Sequence, residues 1–549
     1  MPRFFPCTVI LVTKGASKTG KMLLAHTDDN LLDDQRIVYV PALDHADGSK
    51  RPISYKYWGY PRYVGLNRGE GYAKLKGYPE TPSYGAIEQV AHSFAYLDAN
   101  YAIANEKGVA IAESTCASKF KYESSPERLF EITELTRIAL ERAKSAREAV
   151  RIIGALAENY GYFDWGELLI IADQEEGWVF EICASPRKKG ALWVAKKVPD
   201  GEVFVAANEF RIREIAPHDK DLMYAKELFE IAKEEGWLEN GCLDWLKSVS
   251  PGEYNHPYYC LRRVWRLQDL INPALKLSPW VENGYTKAYP FSIKPLNKLA
   301  FSDVATLLRD YYQGSEFDLS QGLAAGPFGC PYRYRGPTDG TLNLPETTPQ
   351  IGTPFFSGAW ERPVAVYFCG YSHITEIDPS LPPIIGTLVW IGLGQPLMSC
   401  YIPFYVSGPL PESFSSGSTL KFSPQTAWWA FNFISNLAAL KFCSVLEDVQ
   451  NKQKKTESQE CTEQETVQKQ ALKLWEKDPQ KALEFLNSSA WKNSRQVVKE
   501  WWNFAYYLLE KYTDGSVNKP KPLQEVGYPV WWLKTAGYQK GPTEYQKKP

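Results

Sequence analysis

An apolar run of six residues led by a cysteine, CTVILV at positions 7–12, constrains this chain more than any other stretch. Its length and β-branched content fit a strand buried on both faces. Turn-prone KGASKTG follows, and then KMLLAHTDD, which reads as a second strand. The pair predicts a hairpin opened by Cys7, with His26, Asp28 and Asp29 leaving its far side. A thiol at the head of a strand, facing polar groups on its neighbour, suits a nucleophile at a chain terminus. Once freed, the cysteine's own α-amine, with a pKa of about 8, would take the thiol proton near neutral pH without a histidine. Taken alone, these residues also fit a plainer reading, in which Cys7 is a small apolar residue of an edge strand.

Downstream, RIVYV, FAYL, YAIAN and GVAIAEST read as short strands, separated by an aromatic, Gly/Pro-rich passage near residues 57–80 that would line a pocket. PERLFEITELTRIALERA predicts a helix behind Pro126. SAREAVRIIGALAENYG predicts a second, with Ser145 as N-cap, Glu148 at the capping-box position and Gly161 as the stop. LLIIAD, GWVFEIC, LWVAKKV and VFVAAN are four further strands. Strands, two helices and strands again imply α+β layers with antiparallel sheets. LRRVWRLQDL reads as a short helix with a solvated arginine face. VAVYFCGYS and IIGTLVWIGLG are strand-like. Beyond about Pro424 the pattern turns helical, with the charged NKQKKTESQE as an exposed helix end or linker and Gly515 as the last stop.

At 549 residues and 44% hydrophobic, the chain can bury a large core and more than one structural unit. A net charge of −2 with mixed signs excludes a nucleic-acid or anionic-membrane footprint. Ten scattered cysteines, with no CxxC pair and no metal-type spacing to histidine, read as free thiols in a reducing compartment. The expectation is a soluble, cytoplasmic protein, with secretion left open. The longest uncharged stretch, 381–398, is broken by Pro and Gly and is not a membrane helix. There is no P-loop and no GxGxxG after a strand, so no nucleotide site is expected.

Taken together, these segments resemble the C69 dipeptidase family, cysteine peptidases of the N-terminal-nucleophile hydrolase superfamily. CTVILVTKGASKTGK…HTDD is similar to that family's C-T-x-L-V-G-K-x-A-S-x-D-G-S…R-N-x-D, and ANEKGVAIAEST to its N-E-x-G-V-A-I-S-x-T-E-T. IADQEEGWVFEI, WVAKKVPD, VAANEFRI, LRRVWRL, LLRDYYQGSEFDL, AGPFGCPYRY, IPFYV and AWWAFNF follow in order. The resemblance implies a four-layer αββα sandwich over residues 7–423, a helical C-terminal extension over 424–549, and a propeptide, residues 1–6, covering or occupying the cleft until it is removed. It implies hydrolysis of dipeptides through an acyl-enzyme on Cys7, with no cofactor and no metal; association into a homo-oligomer is left open.

By position, Cys7 corresponds to the nucleophile, Asp29 to an aspartate that hydrogen-bonds the freed α-amine, Asn208 to an oxyanion-hole amide and Arg263 to a site arginine, with Arg262 a near competitor. On residues alone, Asp29 is a hairpin-end cap and Asn208 a turn after a strand. His26, nineteen residues after the cysteine, stands where most relatives have arginine. Imidazole supplies less fixed positive charge than guanidinium at neutral pH, so His26 is expected to bind substrate or tune the thiolate. Glu113 to Thr115 falls near the pocket without an assigned role; the remaining histidines, His45, His92, His218, His256 and His373, are isolated and are given none. The same frame also serves an amidase or acylase acting on a non-peptide amide, or a non-hydrolytic binding relative.

Overall fold

The computed structural model describes residues 7–30, 34–54, 83–217, 219–253, 259–280, 288–333, 361–513 and 516–538. The expected propeptide (1–6), the aromatic passage near 57–80, His218, His256 and Gly515 lie outside these residues. The chain is a mixture of helix and sheet built around two large sheets whose paired strands are all antiparallel.

The hairpin forms as its sequence predicts. Strands β1 (Cys7–Val12) and β2 (Met22–Asp28) pair with Cys7 opposite Asp28 and Val9 opposite His26. β1 lies inside the sheet because both of its faces are covered, which accounts for its unbroken apolar run. Its side chains alternate as the pleat requires. Val9 and Leu11 join the core between the sheets, with Met22 and Leu24 beside them; Ile10 and Val12 face outward with Leu23 and Ala25. Parity therefore puts Cys7, His26 and Asp28 on the inner face.

The second sheet contains β3 (Val38–Val40), β4 (Tyr96–Asp98), β5 (Ala102–Asn105), β6 (Ala110–Cys116), β7 (Gly166–Ala172), β8 (Gly177–Ala184), β9 (Ala191–Lys197) and β11 (Leu222–Tyr224). Its order is β11-β9-β8-β7-β6-β5-β4-β3. The first sheet is completed by β10 (Val203–Ala206), β12 (Ser292–Ile293), β13 (Tyr371–Ile377), β14 (Thr387–Leu393) and β15 (Ile402–Tyr405), in the order β12-β10-β1-β2-β13-β14-β15. β6 packs across β1 and β2, so the sheets stack face to face there.

Helices α1 (Ile132–Arg142) and α2 (Ala146–Tyr160) cover the far side of the second sheet. Helix α2 begins and ends as expected: Ser145 accepts from the Glu148 N–H at 3.2 Å, and Gly161 stops it at φ +78°. Helix α1 starts six residues later than Pro126 suggested. Glu131 is its N-cap and accepts from the N–H groups of Thr133 and Glu134. Helices α3 (Leu261–Ile271) and α4 (Phe301–Leu308) lie on the outer face of the first sheet. In VAVYFCGYS only the last residues enter a strand, because β13 starts at Tyr371.

Helices α5 (Ala427–Ala438), α6 (Phe442–Trp475) and α7 (Pro479–Lys511) pack against β14 and β15. NKQKKTESQE is neither a linker nor a helix end. It lies within α6, which turns a polar stripe inward: Gln453 donates to the carbonyl of Ser399, Glu457 pairs with Arg309 and Gln468 donates to the carbonyl of Ile385. All ten cysteines are free. Among the described residues, no helix is long and apolar enough to cross a membrane.

Candidate active site

The site forms where the head of β1 meets β2, β6 and the turn after β10. Continuing the β1–β10 register of Val9 opposite Ala206 by two residues brings Asn208 opposite Cys7. Asn208 Oδ1 accepts from the Cys7 N–H at 3.1 Å and from Arg263 Nη2 at 2.6 Å, while Nδ2 donates to the Thr115 carbonyl at 2.7 Å. A guanidinium can only donate and a carbonyl can only accept, so these two neighbours fix which way the amide points. Ser114 joins both strands, its hydroxyl donating to the Cys7 carbonyl at 3.3 Å and accepting from the Asn208 N–H at 2.8 Å.

Arg263 reaches through from α3. Nη1 donates to the Cys7 carbonyl at 3.0 Å and to Thr8 Oγ1 at 2.9 Å, and Nε donates to the Tyr259 carbonyl. Among the described residues it makes no carboxylate pair, so its charge remains available to the site. The expected solvated arginine face is absent: Arg262 and Arg263 are wholly buried. The carbonyls of Cys7 and Tyr259 and the side chains of Thr8 and Asn208 give Arg263 the acceptors that water would otherwise provide. Arg262 turns elsewhere, pairing with Glu361 at 3.1 Å beneath Phe317 and Trp280.

On the inner face, the Cys7 thiol donates to Glu113 Oε1 at 2.8 Å, and His26 Nε2 lies 3.4 Å from the same oxygen. All three side chains are buried. Burial, then the negative charges of Glu113, Asp28 and Asp29, push the Cys7 thiol well above its ordinary range, so the sulfur is a neutral thiol here. The ligand atoms of Cys7, His26 and Glu113 lie within 4.8 Å of one another, close enough for a cation. Contacts converging on Glu113 Oε1 account for that closeness. Across the β2–β13 ladder His26 faces His373, ring centroids 5.4 Å apart; burial and His26 depress the pKa of His373 and keep it neutral.

Asp29 does not bond the Cys7 nitrogen. Its Oδ2 accepts from Thr27 Oγ1 at 2.9 Å and from Arg362 Nη2 at 2.6 Å, and the Thr27 hydroxyl accepts from the Thr8 N–H. Asp29 thus braces β1 one residue past the cysteine. Asp28 accepts from Asn100 Nδ2 at 2.7 Å. His45 and His92 lie apart, bonded to Ser93 and Asp44. Glu113, Ser114, Arg362 and His373 carry site contacts that the sequence reading did not assign. Of these, Glu113 and Ser114 lie in the stretch that the resemblance set near the pocket; Arg362 and His373 gave no signal.

Residues 6–455 match the model of peptidase family C69. The chain belongs to peptidase family C69. It is a hydrolase of peptide bonds. A probable dipeptidase of Salmonella dublin is 26% identical over 414 residues, covering 74% of this chain and 82% of that protein. A probable dipeptidase of Latilactobacillus sakei is 24% identical, covering 77% and 79%. A dipeptidase of Bifidobacterium longum is 22% identical, covering 82% and 80%. Among solved structures, penicillin V acylase from Agrobacterium tumefaciens aligns over 73% of this chain and 86% of its own at 10% identity, with a TM-score of 0.28, too low to bear on the fold.

Proposed function

We propose that this member of family C69 is a cysteine dipeptidase, working on the four-layer αββα frame of N-terminal-nucleophile hydrolases with residues 424–549 as a helical extension. Cys7 Sγ attacks the scissile carbonyl, and the Cys7 α-amine, freed by cleavage of the Pro6–Cys7 bond, takes the thiol proton. What supports the reading is that sulfur and nitrogen of one strand-leading cysteine each meet a dedicated partner, Glu113 and Asn208. Arg263 ties Asn208 to the Cys7 carbonyl and supplies positive charge where a thiolate and an oxyanion develop. Asn208 holds the amine through Oδ1, and its second Nδ2 proton is the oxyanion donor. Asp29 acts through Thr27 on the strand, and His26 through Glu113. The preference for dipeptides rests on the names of the relatives.

Cys7→Ala is expected to retain the fold and lose at least about a thousandfold in dipeptide hydrolysis, since a missing nucleophile costs several orders of magnitude. Active enzyme should begin at Cys7 by intact mass. If Cys7→Ala kept more than about a tenth of wild-type turnover, the cysteine would be structural.

A further inference from the structure

The proposed reading requires a thiolate twice. In turnover a free amine sits beside the sulfur. Before maturation the same nitrogen is an amide, too weak a base to accept the thiol proton. Among the described residues, the group that receives the sulfur's hydrogen bond is Glu113, at 2.8 Å. It is held rigidly. It sits in β6, wholly buried, with Thr115 Oγ1 on its other oxygen at 3.3 Å and His26 Nε2 flanking the first at 3.4 Å. A carboxylate inside a sheet-to-sheet core is costly, and its partners include a thiol, a hydroxyl and an imidazole. A purely structural role would favour an apolar residue at this position.

We propose that Glu113 is the catalytic base of maturation, taking the Cys7 thiol proton and returning it to the Cys7 nitrogen as the Pro6–Cys7 bond breaks. The inference rests on the reading of Cys7 as a nucleophile unmasked by cleavage. The Sγ–H bond breaks and its proton moves to Glu113 Oε1, while the sulfur lone pair forms a bond to the Pro6 carbonyl carbon. The resulting oxyanion collapses, the bond from that carbon to the Cys7 nitrogen breaks, and the nitrogen takes the proton back from Glu113. The outcome is an N-to-S acyl shift with the carboxylate restored. Water then hydrolyses the thioester, giving a carboxylic acid at Pro6 and a free thiol beside a free amine at Cys7. During the shift, Asn208 and Arg263 hold the Cys7 nitrogen and carbonyl in place.

The test follows the intact mass of the full-length chain with time after synthesis, alongside thermal unfolding and dipeptide hydrolysis. Glu113→Gln is expected to fold and to lose residues 1–6 at least about a hundredfold more slowly than wild type, the range of a general base. Glu113→Asp, with its carboxylate drawn back by one methylene, should mature slowly but completely. A folded Glu113→Gln chain that matures at the wild-type rate overturns the proposal. If Glu113→Gln does not fold, Glu113→Asp decides, and wild-type maturation in it overturns the proposal equally. A wild-type protein that hydrolyses dipeptides while still carrying residues 1–6 would instead overturn the underlying reading.

Discussion

Asn208 sits at φ +61°, in the left-handed region that asparagine tolerates better than most residues bearing a Cβ. The turn after β10 and the amide beside Cys7 therefore call for the same residue, and substitutions can separate the two demands. Alanine removes the amide and adds about 1 kcal/mol or more of backbone strain. Glycine removes the amide and relieves the strain. Under the proposed mechanism, both should lower kcat by about a hundredfold with little change in KM, the loss expected for one oxyanion donor. Thermal unfolding should separate them, with Asn208→Gly the more stable. If Asn208→Gly instead recovered the wild-type rate, the asparagine would serve the turn alone. Arg263 and Asn208 could be named from sequence by resemblance, but their bonds to each other could not, since 55 residues separate them along the chain.

At the scale of single elements, the strands β1 and β2 were readable as apolar runs, and their two-residue period, once they are paired, fixes which side chains share a face with Cys7. Helix α6 shows where such reading stops. Gln453, Glu457, Glu460, Gln464 and Gln468 recur at helical spacing and are buried, yet all are polar, so hydrophobic periodicity cannot find that face. Glu113 fell in a stretch that the resemblance set near the pocket, but Cys7 lies 106 residues away on another sheet and their contact depends on how the sheets stack. A glycine in α2 turns packing into a measurable effect. Replacing a helical glycine by alanine ordinarily gains about 1 kcal/mol. At Gly154 an added Cβ would lie 2.4 Å from the Trp193 ring, which is stacked on Phe180 and bonded through Nε1 to Glu158 at 2.9 Å. A ring held on two sides cannot yield, so overpacking of about 1–3 kcal/mol should win and Gly154→Ala should lower the urea midpoint. A raised midpoint would mean that Trp193 shifts freely.

Across the whole molecule, two buried carboxylates link the Asn208 turn to global stability. Glu181, on β8, accepts from the N–H groups of Arg211 at 2.6 Å and Ile212 at 3.0 Å and from Trp245 Nε1 at 2.8 Å. Glu209, next to Asn208, accepts from Ser250 Oγ at 2.7 Å and the Phe210 N–H at 3.0 Å. The segment after the site asparagine is thus anchored to the second sheet and to the loop at Ser250. Burial outweighs these hydrogen bonds and raises both carboxyls from 4.5 to about 8. A carboxyl whose folded pKa lies above its unfolded value stabilises fully below about 4.5, and that contribution is lost as pH rises through about 8. Each group should therefore make stability fall between about pH 5 and 8, because the folded state keeps a proton that the unfolded chain releases. Glu209→Gln removes one such proton while keeping an acceptor for Ser250. Near pH 5 its melting temperature should lie close to or slightly below wild type; toward pH 8 the difference should move steadily in favour of the variant. A difference that stays constant from pH 5 to 9 would show that Glu209 titrates alike in both states, and that the turn carrying Asn208 is held by the hydrogen bonds without a proton trapped at Glu209.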